Sequence, residues 1–111
     1  MSRVAYVNGQ YQPHSQATVH VEDRGFQFAD GVYEVWSVFD GRLADFDGHM
    51  TRLHRSLNEL RIPIPMTREA LSRVLNETVR RNRVAIGPGL PLPILTPSIE
   101  VAGMTKPLAE V

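Results

Sequence analysis

The sequence predicts an α+β fold, a small antiparallel or mixed sheet with two helices packed on one face. Three observations carry that prediction. Up to about residue 46 the apolar residues alternate or form short β-branched runs, broken by Asn8-Gly9 and Asp40-Gly41. From Asp47 the apolar spacing changes to three and four, the period of one helix face. Strands followed by helices, rather than alternating with them, is the order that lays helices against one side of a sheet.

Element by element, Val4 to Tyr11 reads as a hairpin. Asn8-Gly9 supplies the two positive-φ positions of a type I′ turn. Pro13 to Gln16 is a connector, and Ala17 to Val21 alternates with β-branched residues, so a further short strand is expected there. After the glycine-punctuated segment Gly25 to Gly31, a strand runs from Val32 to Phe39. One of its faces carries Tyr33, Val35, Ser37 and Phe39, and the other carries Glu34, Trp36 and Val38. Both faces are largely apolar, which predicts a central strand covered on both sides. Asp40-Gly41 turns the chain back into Arg42 to Phe46. Met50, Leu53, Leu57 and Leu60 then form the apolar stripe of a helix over Asp47 to Arg61. The Ile62-Pro63-Ile64-Pro65 run stops it, because proline restricts the preceding residue and donates no N–H. Thr67 is the expected N-cap of a second helix, with Glu69 in its first turn. Its apolar stripe is Leu71, Val74, Leu75, Thr78 and Val79, ending near Arg81.

The character shifts near residue 84. Gly87 to Pro97 holds two glycines and four prolines in eleven residues, without helical or strand period. The expected organisation is therefore a folded unit over 1–83 and an irregular Pro/Gly-rich tail over 84–111.

Composition narrows the function classes. At 111 residues the chain is one domain or a piece of one. Twelve basic and twelve acidic residues give a net charge of zero, and no basic patch suited to nucleic acid emerges. The absence of cysteine removes disulfides, thiolate metal sites and cysteine nucleophiles together. No run approaches transmembrane length and the N-terminus lacks a signal-like apolar region, so a cytoplasmic protein without a membrane partner is expected.

The residues suited to chemistry are few. Tyr33 follows Gly31 closely, where a phenol can sit at a pocket mouth or as a half-buried strand tyrosine. Arg52 stands three residues after His49 near a helix start, either as a solvated helix arginine or as an anion ligand. A guanidinium offers a planar, permanently charged fork that suits phosphate. His14, His20, His49 and His54 show no metal-ligand spacing, so no metal site is expected. Gly25 to Gly31 has neither the Gly-Lys-Ser/Thr ending of a phosphate loop nor dinucleotide glycine spacing.

One ordered set of motifs goes further. Tyr6-Val-Asn-Gly9, the run Val21-Glu-Asp-Arg-Gly-Phe-Gln-Phe-Ala-Asp-Gly-Val-Tyr-Glu-Val35 and Asp40-Gly41 are followed by His49-Met-Thr-Arg-Leu53, Ser56 to Leu60 and Ile62-Pro-Ile-Pro65. In that order and spacing they resemble the N-terminal small domain of class IV (fold type IV) aminotransferases, over residues about 4–83, and most closely its D-amino-acid branch. The resemblance implies pyridoxal 5′-phosphate as cofactor, amino-group transfer between an amino acid and a 2-oxo acid, and a dimer. It assigns Arg52 to the cofactor phosphate and Tyr33 and Val35 to the substrate side. His49 supports Arg52 or local packing, and Glu22, Asp23 and Arg24 hold the preceding loop by charge pairing.

In the family the Schiff-base lysine, the acid paired with the pyridine nitrogen and the residues holding the substrate carboxylate lie further downstream. The one lysine here, Lys106, stands in a different context and is not assigned to catalysis. No residue of this chain is therefore expected to be catalytic, and the isolated chain is expected to be inactive. The change of character near residue 84 is what a truncated or frame-shifted reading frame would produce. Two other implications stay open: a non-catalytic homo-oligomeric module built on the same domain, and the small domain of a branched-chain aminotransferase or aminodeoxychorismate lyase.

Overall fold

The computed structural model describes residues 3–82 and, for the backbone alone, 98–105. Val4–Val7 (β1) and Gln10–Pro13 (β2) pair antiparallel with Val7 opposite Gln10. Asn8 and Gly9 both take positive φ, 49° and 87°, as the type I′ turn requires. Tyr6 and Tyr11 face each other across the pair with ring centroids 4.9 Å apart. His14–Gln16 forms a single 3-10 turn.

Ala17 to Val21, read from sequence as a strand, is not one. Its alternation is real, but no described strand pairs with it, and Val19 and Val21 are exposed. Without a ladder partner the β-branched preference has nothing to hold it. The chain next forms a short helix over Arg24–Phe28 (α1). The Asp23 carboxylate accepts from the Phe26 N–H at 3.1 Å, and Ala29 closes the helix in the left-handed region.

Gly31–Phe39 (β3) is the spine of the second sheet. Arg42–Leu43 (β4) pairs on one side through a turn at Asp40 and Gly41, both with positive φ. Ser98–Thr105 (β5) pairs on the other side, giving the order β4-β3-β5 with every ladder antiparallel. This strand lies inside the 84–111 tail whose composition predicts irregular structure. Its alternating Ser98-Ile99-Glu100-Val101 start meets the free edge of β3, with Trp36 opposite Ile99 and a register shift between Val32 and Glu34. The Gly87–Pro97 segment and Lys106 lie outside the described residues.

Phe46–Leu60 (α2) crosses one face of β3, and Arg68–Arg81 (α3) follows. Trp36 from the strand, Met50, Leu53 and Leu57 from α2, Ile62, and Leu71 and Leu75 from α3 form the buried core. Leu60, expected on the same stripe, is partly exposed. The reason is the helix end. Arg61 turns left-handed at φ 57°, and Arg61 and Ile62 donate back to Asn58 at 3.1 Å and Leu57 at 2.9 Å. That is the Schellman geometry, and it puts Ile62 into the core where Leu60 would have stood. Thr67 caps α3 as expected, its hydroxyl accepting from the Ala70 N–H at 3.1 Å. The two helices are also tied at their starts by an ion pair between Arg68 and Asp47.

The expectation that both faces of β3 are covered does not hold among the described residues. Trp36 is buried against the helices and Val38 is buried on the same face, whereas Tyr33 and Phe39 on the other face are 72% and 61% exposed. The Asn82 side chain, just past the end of α3, ties the hairpin to that helix. The Val4 N–H donates to the Asn82 side-chain carbonyl, and the Asn82 amide donates to the Val4 carbonyl, each at 2.9 Å.

Candidate functional site

The alternation along β3 puts Glu34 on the core face, between residues that pack against α2. A carboxylate is an expensive group to bury there unless it is paired. Glu34 is 3% exposed, and α2 supplies both its partners from one helical step, His49 and Arg52. The His49 Nδ1 lies 2.7 Å from Glu34 Oε1. Because a carboxylate only accepts, His49 donates from Nδ1 in this contact. Arg52 Nε donates to Oε2 at 2.9 Å, and Arg52 Nη2 donates to Oε1. The guanidinium is thus gripped along its Nε/Nη2 edge by a two-point fork. Its side chain is still 57% exposed, and among the described residues Nη1 has no hydrogen-bond partner.

The electrostatics follow from this geometry. The Arg52 hydrogen bond, against the opposing effect of burial and with help from His49, holds the Glu34 carboxyl down to about 2. The same bond raises Arg52 above its ordinary value. His49 is set in place from its other side by the Trp36 ring, 5.4 Å away between centroids.

Of the residues singled out from sequence, Arg52 and His49 come together and Tyr33 and Val35 do not join them. Tyr33 and Val35 share the opposite face of β3 from Glu34, and no described hydrogen bond links Tyr33 to Arg52. Tyr33 is close enough to contribute to the electrostatic environment of Arg52. Arg24 pairs with Asp30 at 2.9 Å, and Asp23 caps α1, so the loop before β3 is held by these two acids. Among the described residues no cluster of histidines and acids is suited to a metal ion.

Glu34 is the residue that sequence reading missed. The signal was present: an acid between Val32 and Trp36 on the apolar face of a strand, followed by a helix with a histidine and an arginine three apart. A charged residue in an apolar register position calls for a cation facing it.

Comparison with known proteins agrees on one family. The model of the class IV amino-transferase family matches residues 31–97, more than half of the chain and past residue 83, where the likeness read from sequence motifs ended. The D-alanine aminotransferase of Listeria innocua serovar 6a is 38% identical over 81 residues, which is 73% of this chain and 28% of that protein. The D-alanine aminotransferase of Bacillus licheniformis is 40% identical over 76 residues, 68% of this chain and 27% of that one. The chain thus spans little more than a quarter of the length of these relatives. Among solved structures, the Escherichia coli branched-chain amino acid aminotransferase superposes with a TM-score of 0.70 at 20% identity, over 92% of this chain and 38% of that one. The branched-chain aminotransferase of Thermoproteus uzoniensis gives 0.66 at 24% identity, over 92% and 40%. These two likenesses speak to the fold. The family match, over more than half of the chain, shows that the chain belongs to the class IV aminotransferase family.

Proposed function

We propose that residues 1–83 supply the small-domain part of a pyridoxal 5′-phosphate site serving amino-group transfer between a D-amino acid and a 2-oxo acid, and that the chain does not complete the reaction alone. The half-exposed Arg52 fork carries this reading, because it is anchored on one edge and open on the other. An anchored, permanently charged donor fits the phosphate of such a cofactor. The identity to two D-alanine aminotransferases favours the D-amino-acid branch over the branched-chain or lyase alternatives.

When bound, the cofactor supplies the electron sink for the reaction, and the residues of this chain supply position. Arg52 would hold the phosphate through its open end. Tyr33 and Val35 would form the wall facing substrate, Tyr33 offering a hydroxyl that donates or accepts. Moving the α-proton requires a basic group at the reacting carbon. No described side chain supplies a lysine amine, and Lys106 lies outside the described residues.

The test is a titration of the chain with pyridoxal 5′-phosphate followed by absorbance, with borohydride reduction and peptide mass mapping. The expected result is weak, phosphate-dependent binding lost on dialysis, no reduced adduct on Lys106, and no transfer from D-alanine to 2-oxoglutarate. Turnover, or a stable Lys106 adduct, overturns the reading of an incomplete site.

A second reading has its own observation. Phe26, Phe28, Tyr33 and Phe39 are all exposed, and an aromatic surface of that kind suits a homo-oligomer. In that reading the chain is a non-catalytic assembly module. Concentration-dependent association without cofactor binding supports it over the first.

A further inference from the structure

We propose that Glu34 is the positioning residue of the anion site, and that its buried carboxylate aims the open Nη1 end of Arg52 at a phosphate monoester. The inference rests on the reading of Arg52 as the phosphate ligand and adds the residue that makes that arginine directional.

Three observations support it. Glu34 occupies a core-face position of β3, where an apolar side chain of similar size would be at least as stabilising as a buried ion pair. Packing against α2 therefore does not call for a carboxylate. Its contacts are also specific in shape. Oε1 and Oε2 both engage Arg52, on Nη2 and Nε, so the guanidinium plane is fixed rather than merely attracted. Finally, His49 donates to Oε1 at 2.7 Å and lies against Trp36, which fixes the carboxylate from its other side. The chain of support runs from the Trp36 ring through His49 and Glu34 to Arg52, and it ends at Nη1, which has no hydrogen-bond partner among the described residues.

Charge and position make opposite predictions here. Glu34 places a negative charge beside the anion site, so by Coulomb attraction alone its removal would tighten phosphate binding. Removal also frees a long, rotamer-rich side chain that must be ordered again on binding. Arg52 is more than half exposed, so the Coulomb effect is screened and the positional loss is the larger.

The experiment follows the side-chain 15N resonances of Arg52 in the chain while inorganic phosphate is added to tens of millimolar, and repeats this for Glu34→Gln, Glu34→Asp and Arg52→Met. In the unsubstituted chain the Nη1 resonance is expected to move first and Nε least. Glu34→Gln is expected to weaken phosphate binding about tenfold. Glu34→Asp keeps the charge and withdraws the carboxylate by one methylene, and it is expected to weaken binding similarly. Equal or tighter binding by folded Glu34→Gln overturns the positioning role and leaves Arg52 as ligand. Movement of Nε ahead of Nη1 in the unsubstituted chain overturns it too, without any variant. No response of Arg52 to phosphate, or an unchanged response of the chain in Arg52→Met, overturns the underlying reading of the site.

Discussion

Acid should loosen this fold through Glu34 before it does so through an exposed carboxylate. In the folded chain the Arg52 and His49 contacts lower the Glu34 carboxyl from 4.5 to about 2. A depressed folded value means that the stabilisation is fully present above the unfolded pKa and is lost as pH falls toward the folded one. The relevant window is therefore below about pH 5, closing near pH 2. One pKa unit is worth about 1.4 kcal/mol, so the whole linkage is about 3 kcal/mol, of which about 2 kcal/mol is gone by pH 3. Glu34 is almost wholly buried, but its partner Arg52 is more than half exposed, so solvent screening makes these figures upper limits. The assay is urea unfolding at pH 6 and pH 3, for the unsubstituted chain and Glu34→Gln. Other carboxylates, Glu77 among them, titrate in both proteins and cancel in the comparison. The unsubstituted chain should lose about 1–2 kcal/mol more than the variant over that interval. Equal losses in the two proteins would refute the reasoning, because the acid sensitivity would then lie elsewhere.

Three further outcomes are expected. Leu53→Ala removes a side chain that is almost wholly buried between α2 and β3, and should cost about 2–5 kcal/mol in chemical unfolding; a loss under about 1 kcal/mol would mean that the core is not packed as described. Asn82→Ala deprives the Val4 N–H and carbonyl of their partner and should cost about 2 kcal/mol, with faster hydrogen exchange at the Val4 amide as its local signature. Arg61→Gly relieves a left-handed arginine at the end of α2 and should stabilise by about 1 kcal/mol in the same assay, whereas destabilisation would contradict the Schellman geometry.

What was legible in the sequence was the chemistry that acts within a few residues. Asn8-Gly9, Asp40-Gly41 and the Thr67 cap each satisfy a local backbone requirement, so each could be placed without knowing the rest of the fold. Arg52 and His49 were visible as neighbours because helical spacing makes them so. What escaped depends on a partner far along the chain. Ala17 to Val21 looks like a strand by composition but lacks a ladder, while Ser98–Thr105 finds one on β3. Leu60 continued the stripe on paper, but the turn at Arg61 gave its place to Ile62. Glu34 was passed over because its importance lies in two residues of α2, and pairing across sheet and helix is written in tertiary structure.

The Asn82 contact carries a consequence for the order of events in folding. It joins positions 78 residues apart, and closing a loop of that length costs about 4 kcal/mol in chain entropy before the constant term. Two hydrogen bonds to Val4 return about half of that. The contact therefore cannot bring the ends together; it closes after β3, α2 and α3 have assembled and done so. On the way out the sequence reverses. The hairpin and the last turn of α3, also linked where Arg81 lies 4.1 Å over the Tyr11 ring, should let go together as the first cooperative step of opening. Exchange at a single amide near the N-terminus would then report the fraying of a helix nearly eighty residues away.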